Sequence, residues 1–292
     1  NPYLTMDFRI EADIVRSLAR IIANGYLHRG SKPVHWCIDC ASALAEAEVE
    51  YRDRDSLAID VRFPVANLEA LLARLHYVED HTSQGSLAVV IWTTTPWTLP
   101  ANQAVAVNPG LDYAVVQVDT DHGQERLLVA KPLLKDSLVR WQIECYRVIA
   151  CGPGSALEGL MLHHPFYDRE VPVILDDHVT TEAGTGAVHI APAHGQEDYA
   201  VGSRYDLKVD NPVGPDGRFL PDTPLFASLH VFAANGRVID TLKAQGMLLR
   251  ITRINHSYPH CWRHKTPVIF RTTPQWFISM EQHGLRARAL EE

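Results

Sequence analysis

Long apolar runs, a signal peptide and a dense cysteine framework are all missing from this sequence. No apolar run approaches the roughly 20 residues that a membrane-spanning helix needs, and the first residues lack the basic and apolar regions of a signal peptide. Five cysteines in 292 residues do not indicate a disulfide scaffold. A formal net charge of −8 argues against a protein that coats nucleic acid along its length, but not against one that grips a single nucleic-acid end. We therefore expect a cytoplasmic protein with no membrane partner.

The hydropathy pattern predicts many short strands and few helices. Hydrophobic residues make up 46% and charged residues 21% of the chain, which is ordinary for a globular protein. Strands are predicted at residues 48–51, 57–63, 87–93, 113–118, 126–130, 143–150 and 171–175. Helices are predicted at residues 7–27, with Asp7 as N-cap, and at 67–76, 197–205 and 236–246. The pattern favours an α+β fold, in which a β-rich barrel carries peripheral helices.

A polar loop directly follows the predicted strand at residues 87–93. Residues 92–104 read WTTTPWTLPANQA. Two prolines stop a helix from continuing through this loop, so Thr93, Thr94 and Thr95 gather at the end of a buried strand. Polar groups at such a place often contact a ligand. The alternative is a threonine-rich turn that caps its own backbone.

A second polar segment, at residues 184–199, reads GTGAVHIAPAHGQEDY. Strand alternation places His189 on the face opposite Val188 and Ile190, where a lone histidine is most often a core residue. Asp198 opens a helical stretch, where a carboxylate is stabilised by the helix dipole. The sequence has no G-x-S-x-G elbow and no serine or cysteine placed beside a histidine and an acid. Any hydrolysis is therefore expected to use an oriented water.

The two segments together closely resemble the editing domain (CP1) of class I isoleucyl-tRNA synthetases of bacterial type. The resemblance continues in MDFRIEAD at residues 6–13, KPVHWC at 32–37 and PQWFISM at 274–280, so it spans essentially the whole chain. It implies post-transfer editing, the hydrolysis of the aminoacyl ester of mischarged Val-tRNA(Ile). The family's synthetic signatures, HIGH and KMSKS, are missing from this sequence. The chain thus resembles the editing insertion alone: no aminoacylation is expected, and ATP is needed only by the full-length enzyme.

The resemblance implies roles for residues of both segments. The matching aspartate, Asp198, would bind the α-ammonium of the aminoacyl ester through a charge-assisted bond. The matching histidine, His189, would admit valine and exclude isoleucine, which is one methylene larger. His194 would contact the loop or the end of the substrate. The bond to Asp198 would select amino-acid esters over other acyl groups.

Hydroxyl and amide groups of the first segment would surround the ester and the terminal adenosine. The candidate catalytic residues are Thr93, Thr94, Thr95 and Asp198. The candidate substrate-binding residues are Trp92, Trp97, Asn102, His189, His194 and Asp198. The two tryptophans would stack on the adenine, and the alternative for both is core packing.

Four further residues have the spacing of metal ligands. Cys37 and Cys40 form a C-x-x-C, and Cys261 and His264 form a C-x-x-H. Each pair places two soft ligands on one turn, and two such turns complete a tetrahedral Cys3His zinc site. The alternative is a hairpin stem without metal, because members of the resembled family carry zinc here only in some cases. We expect a structural zinc and no cofactor for hydrolysis.

A metal at these turns divides the chain into three parts. Residues 1–54 would form an N-terminal helix and the first half of a small zinc-ribbon-like stem, at the boundary of the catalytic core. Residues 55–250 would form the editing barrel, and residues 251–292 the second half of the stem with the return toward the catalytic core. Cys145 and Cys151, in a strand-like run, are predicted to be buried.

The expected partner is the aminoacylated 3′ end of tRNA(Ile), with the valyl ester as the rejected substrate and the chain as a monomer. One methylene distinguishes two substrates by only about 1–3 kcal/mol, a limit of which isoleucine against valine is a well-known example. Two alternatives stay open. One is the editing domain of a valyl or leucyl relative, which Thr95-Pro96-Trp97 disfavours because those relatives typically continue with Arg-Pro. The other is a non-catalytic module that only binds an acceptor end.

Overall fold

The computed structural model describes residues 4–78, 84–120 and 123–291. Its strands are β1 (Leu27–Cys37), β2 (Ser42–Leu44), β3 (Val49–Pro64), β4 (His76–Tyr77), β5 (Leu87–Thr93), β6 (Ala104–Val107), β7 (Asp112–Thr120), β8 (Gly123–Ala130), β9 (Tyr146–Pro153), β10 (Met161–His163), β11 (Glu170–Leu175), β12 (Ala187–Ile190), β13 (Leu248–Cys261) and β14 (Ile269–Ile278). Its α-helices are α1 (Phe8–Ala23), α2 (Leu68–Leu72), α3 (Leu134–Trp141), α4 (Gln196–Arg204), α5 (Val231–Ala244) and α6 (Leu285–Glu291).

The chain forms two compact units, one of Asn1–Lys32 with Thr272–Glu292 and one of Pro33–Arg271. The smaller unit contains α1 and α6. Helix α1 begins as predicted, because the side chain of Asp7 accepts a hydrogen bond from the backbone N–H of Arg9 at 2.8 Å. None of the described helices is long and apolar enough to cross a membrane.

The larger unit contains two open sheets and the antiparallel pair of β1 with β2. One has seven strands in the order β13-β3-β5-β8-β7-β9-β4, and the other has four in the order β10-β11-β6-β12. Only an isolated bridge between Val65 and Leu162 extends the pairing at β10, so no closed barrel forms in the part of the chain that the structure describes. The α+β class is confirmed, whereas the expected barrel is replaced by mixed sheets with helices. Hydropathy alternation predicts strands, but closure depends on which distant strands pair, and alternation carries no information about that.

The core places the two polar segments together. Residues 87–91 of β5 are all buried, and β5 pairs antiparallel with β3 and parallel with β8. Strand β12 pairs antiparallel with β6 in the second sheet and also packs against β5. One apolar cluster includes side chains of β5, β6 and β12. The polar residues that follow β5 and β12 therefore emerge in one region.

Strands β3 and β13 pair along nearly their whole lengths. Their antiparallel register places Val49 opposite Cys261 and Val61 opposite Leu248. This pairing brings the C-x-x-C and the C-x-x-H to the same end of the two strands. The division near residues 55 and 250 falls inside these paired strands, and the three-part organisation stays a proposal.

Three local predictions needed correction. Strand β9 begins at Tyr146 rather than at residue 143, so Cys145 precedes it and is exposed, and Cys151 is only half-buried. Helix α2 has five residues instead of ten. Helix α5 begins at Val231, five residues before the predicted start, because the side chain of His230 caps it by accepting from the backbone N–H of Phe232.

Candidate active site

A cavity of about 180 Å³ lies where β5, β12 and the start of α4 meet. Its lining residues are Trp92, Thr93, Thr95, Thr98, Val188, His189, Ala191, His194 and Asp198. Six of the residues that the sequence singled out are thus brought together from two segments about 90 positions apart. Thr94, Trp97 and Asn102 are not among the lining residues.

A network of hydrogen bonds shapes the threonine loop. The hydroxyl of Thr93 accepts from the backbone N–H of Thr95 at 3.0 Å. A 3-10 helix over Pro96–Ala101 follows, with proline at its first position, where no backbone N–H is needed. One turn later, the hydroxyl of Thr98 donates to the carbonyl oxygen of Thr95 at 2.8 Å. The loop therefore presents Thr93, Thr95 and Thr98 on its cavity side.

His189 is held in one tautomer by this loop. Its Nε2 lies 2.9 Å from the hydroxyl oxygen of Thr98. Since that hydroxyl already donates its hydrogen to Thr95, Nε2 must be the donor, which leaves Nδ1 unprotonated. Nδ1 has no hydrogen-bond partner among the described residues. Burial, with a smaller effect of His194, lowers the pKa of His189 to about 4, so the ring is neutral at pH 7.

His194 is also held in one tautomer, but here Nδ1 carries the proton and Nε2 does not. Its Nδ1 lies 3.0 Å from the carbonyl oxygen of Phe270 and must donate to it. Its Nε2 finds no partner in the described part of the chain. Burial lowers the pKa of His194 to about 4. The ring meets the ring of Trp97 edge to face, with centroids 5.0 Å apart.

Asp198 connects the first turn of α4 to the end of β12. Its Oδ2 accepts a hydrogen bond from the backbone N–H of Ala191 at 2.7 Å. A side chain at Gly195 would come within 2.9 Å of Oδ1, so glycine is needed there for the carboxylate to fit. Burial raises the pKa of Asp198 to about 6, which still leaves the group mostly ionised at pH 7.

Three predicted site residues lie elsewhere. Thr94 lines a neighbouring cavity together with Thr95. The Trp97 side chain is only 3% exposed and belongs to the core. Asn102 is fully buried, and its Nδ2 donates to the carbonyl oxygen of Ala104 at 2.8 Å. Trp97 also lines the neighbouring cavity, whereas Asn102 lines neither of the two.

Thr98 is the pocket residue that sequence reasoning missed. It belongs to the polar loop, but its position between Pro96 and Pro100 did not mark it as a candidate site residue. The available signal was its spacing of three residues from Thr95, which is one turn of a 3-10 helix.

A buried ion pair supports the cavity from behind Trp92. The guanidinium of Arg140 contacts both carboxylate oxygens of fully buried Asp60, with the shortest distance 2.8 Å. Arg140 also donates to the carbonyl oxygen of Gly184 at 3.0 Å. A side chain at Gly184 would lie 3.5 Å from Trp92, so this loop packs directly against the tryptophan. The pair thereby fixes the wall on which Trp92 rests.

The four predicted metal ligands converge outside this cavity. The ligand atoms of Cys37, Cys40, Cys261 and His264 all lie within 4.8 Å of one another. The sulfur atoms of Cys40 and Cys261 are 3.7 Å apart, and the sulfur of Cys37 is 3.8 Å from Nδ1 of His264. Zinc–sulfur bonds of about 2.3 Å at tetrahedral angles separate two ligand atoms by roughly 3.8 Å. The four residues therefore fit a tetrahedral metal ion.

Comparison with known proteins assigns this fold and these segments to a family. The family model described as tRNA synthetases class I (I, L, M and V) matches residues 1–292, and the chain belongs to this family. Its similar relatives are isoleucine–tRNA ligases: it is 67% identical to that of Methylococcus capsulatus and 60% identical to that of Aeromonas hydrophila, in both cases over 100% of this chain. The chain spans 31% and 30% of the length of these two relatives.

Solved structures show the same fold. The cytosolic leucyl-tRNA synthetase editing domain of Plasmodium knowlesi is similar with a TM-score of 0.51 at 10% identity, over 70% of this chain and 97% of that one. The corresponding domain of Plasmodium falciparum gives a TM-score of 0.50 at 8% identity, over 68% and 98%. The fold of this chain is that of a synthetase editing domain.

Proposed function

We propose that this chain hydrolyses the aminoacyl ester of mischarged Val-tRNA(Ile), as the editing part of an isoleucine–tRNA ligase. The observation that best supports this proposal is the set of hydrogen-bond acceptors around the cavity. Asp198 is an acceptor, and His189 and His194 each leave one unprotonated ring nitrogen without a partner among the described residues. A cavity rich in acceptors suits a ligand rich in donors, such as an α-ammonium with ribose hydroxyls.

Asp198 is the group proposed to select amino-acid esters. Its ionised form would form a charge-assisted bond with the substrate ammonium, and the substrate's positive charge would in turn favour ionisation. The neutral imidazoles of His189 and His194 do not repel this ammonium, because burial keeps them unprotonated at pH 7. Selection of the amino group therefore depends on one carboxylate.

Hydrolysis would proceed by direct attack of water on the ester carbonyl carbon. The water oxygen forms the new carbon–oxygen bond, the bond to the ribose oxygen breaks, and the products are free valine and tRNA with a free terminal hydroxyl. Thr93 and Thr95 would orient the ester and the water through their hydroxyl groups. Imidazoles with a pKa of about 4 are weak bases, so orientation is expected to contribute more than proton abstraction.

The choice of valine over isoleucine would be made by the wall of the cavity. His189 is buried, and its bond to Thr98 fixes the ring plane. A rigid wall can reject one extra methylene, whereas a mobile side chain would move aside. The fixed ring explains how a neutral histidine can act as a steric filter.

We further propose that Cys37, Cys40, Cys261 and His264 hold a structural zinc ion. The separations between their ligand atoms suit tetrahedral coordination, and the cluster lies at one end of the β3–β13 pair. Zinc there would join two chain segments more than 200 positions apart. It would take no part in ester hydrolysis.

A single-turnover assay with the purified chain tests the proposed activity. Val-tRNA(Ile) should be deacylated, and Ile-tRNA(Ile) should be spared. Equal hydrolysis of the two esters would contradict the proposed steric filter. Tight binding of both without hydrolysis would identify the chain as an acceptor-end binding module instead.

A further inference from the structure

A second cavity shares Thr95 with the proposed active site. It has a volume of about 280 Å³ and lies between β3, β13 and α5. Its lining includes Arg54, Thr94, Phe232, Gly236 and Tyr258. Because Thr95 lines both cavities, the two lie next to each other.

An arginine between two aromatic rings is the main feature of this cavity. The guanidinium carbon of Arg54 lies 4.9 Å from the ring centroid of Phe232 and 4.9 Å from that of Tyr258. Its Nη1 is buried and finds no hydrogen-bond partner among the described residues. A buried guanidinium nitrogen without a partner is costly, and a bound anion would satisfy it.

The absence of a side chain at Gly236 also leaves open space beside Arg54. This glycine lies inside α5, where glycine is less favourable than alanine, and a side chain there would meet nothing within 4 Å. The neighbouring Asn235 accepts a hydrogen bond from the backbone N–H of Trp97 at 3.0 Å, which holds α5 against the threonine loop. The space is therefore bounded by fixed elements.

The acidic residue in the lining is exposed to solvent, which screens its charge. Asp55 is exposed, and its Oδ1 accepts a hydrogen bond from the side chain of Asn255 at 2.8 Å. The chain as a whole has a net charge of −8, so a local cation is needed wherever a polyanion must approach.

We infer that this second cavity binds the nucleotide that precedes the terminal adenosine of the tRNA, with its phosphodiester on Arg54 and its base against the aromatic rings. The inference rests on the proposed function, which places the acylated adenosine beyond Thr95. Arginine and aromatic side chains together are the usual means of binding single-stranded nucleic acid without strict sequence preference. The two cavities would then take successive nucleotides on either side of one threonine.

The test compares substrates with and without the preceding nucleotide. The ratio of kcat/KM for Val-tRNA(Ile) to that for valyl-adenosine should fall roughly tenfold to a hundredfold in Arg54→Gln, because one charged hydrogen bond is lost. The salt dependence of tRNA binding should lose about 0.7 from its logarithmic slope. Gly236→Phe, which fills the cavity, should lower the ratio as well, whereas Gly236→Ala should not.

Arg52→Gln is the matched control, because Arg52 lies on the same strand, pairs with Glu50 at 2.9 Å and is not among the residues that line the cavity. It should leave the ratio unchanged, and thermal unfolding should confirm that each variant is folded. An unchanged ratio in Arg54→Gln would overturn the inference.

Binding of the trinucleotide cytidylyl-cytidylyl-adenosine, compared with adenosine, separates this inference from the proposed function. If the chain hydrolyses neither ester, the proposed function fails, but the subsite still predicts tighter binding of the trinucleotide and its loss in Arg54→Gln. Equal binding of adenosine and the trinucleotide would overturn the subsite even if hydrolysis is observed.

Discussion

The cavity around Asp198 and the cysteine cluster differ in how their polar atoms are arranged. In the cluster, four ligand atoms converge within 4.8 Å of one another, so a single ion can satisfy all of them. In the cavity, the polar groups are each tied to the protein on one side, as Asp198 is to Ala191 and His194 to Phe270. Convergent groups suit a point ligand, whereas separately anchored groups suit an extended ligand with several donors.

Loss of the metal should produce the largest effect and should act on stability. Cys261→Ser removes one of four ligands, so bound zinc should fall from about one equivalent to a small fraction. The free energy of unfolding should fall by about 4 kcal/mol if free zinc stands at 1,000 times its dissociation constant. Elemental analysis and denaturant unfolding check this. Cys145→Ser, an exposed cysteine outside the cluster, is the control, and equal zinc in both variants would contradict the assignment.

Substitution of Asp198 should lower activity, whereas loss of zinc should lower stability. Asp198→Ala should lower the rate of Val-tRNA hydrolysis by about tenfold to a hundredfold, because a charged hydrogen bond contributes about 1.5–3 kcal/mol. Glu197→Ala is the matched control, since Glu197 lies in the same helical turn and is exposed. Single-turnover rates measure the effect. An unchanged rate with a lowered melting temperature would make Asp198 a structural link only.

Removal of the His189 ring should change the shape of the cavity without changing its charge. His189→Ala should admit the isoleucyl ester, so the preference for the valyl ester should fall about tenfold or more. Deacylation of Val-tRNA and Ile-tRNA by the variant gives the preference directly. His163→Ala, at an exposed histidine, should leave it unchanged. A variant that still spares Ile-tRNA would place the filter elsewhere.

The pH dependence should distinguish the carboxylate from the two imidazoles. Because the pKa of Asp198 is about 6, kcat/KM should fall as pH decreases through 6 and be about tenfold lower at pH 5. Both histidines have a pKa of about 4 and stay neutral over this range. Asp198→Asn should lose this dependence. A profile that is flat between pH 5 and 7 in the unsubstituted chain would contradict the role of Asp198.

The same raised pKa has a consequence for stability. Folding favours the protonated form of Asp198, so its contribution is complete below the unfolded pKa of about 3.9 and is lost as pH rises through about 6. The ionised group is therefore less favourable in the folded chain at neutral pH. Activity and stability would make opposite demands on this one side chain.

Local elements of the fold were predictable because they depend on near neighbours. Strand β5 and the N-cap of α1 follow from a β-branched run and from an aspartate before an amphipathic stretch. Hydropathy alternation does not identify β13 as the partner of β3, since about 200 residues separate them; only the cysteine spacing predicted that these two segments meet in one stem. The expected β-rich barrel is replaced by open mixed sheets for the same reason.

The candidate site was predicted in part, and the errors also have a physical cause. Residue type suggested that any polar group in the loop faces the ligand. Some of these side chains instead form hydrogen bonds with backbone groups of the loop, and this decides which ones face the cavity. Asn102 uses its amide to bond Ala104, and Thr98 turns its hydroxyl toward Thr95 and His189. Such choices depend on which backbone groups are otherwise unsatisfied, and only the folded chain supplies that information.

The separation of β3 and β13 also determines when the fold can be completed during synthesis. Strand β3 ends at Pro64, and its partner is not finished until Cys261. At about 5–20 residues per second, a ribosome needs roughly 10–40 s to make the intervening chain. Over that interval one edge of β3 awaits the strand that pairs with it in the finished fold, and Cys37 and Cys40 lack the other two residues of the cluster. The β3–β13 pair and the cysteine cluster can thus be completed only after Cys261 has been made, when both can form together.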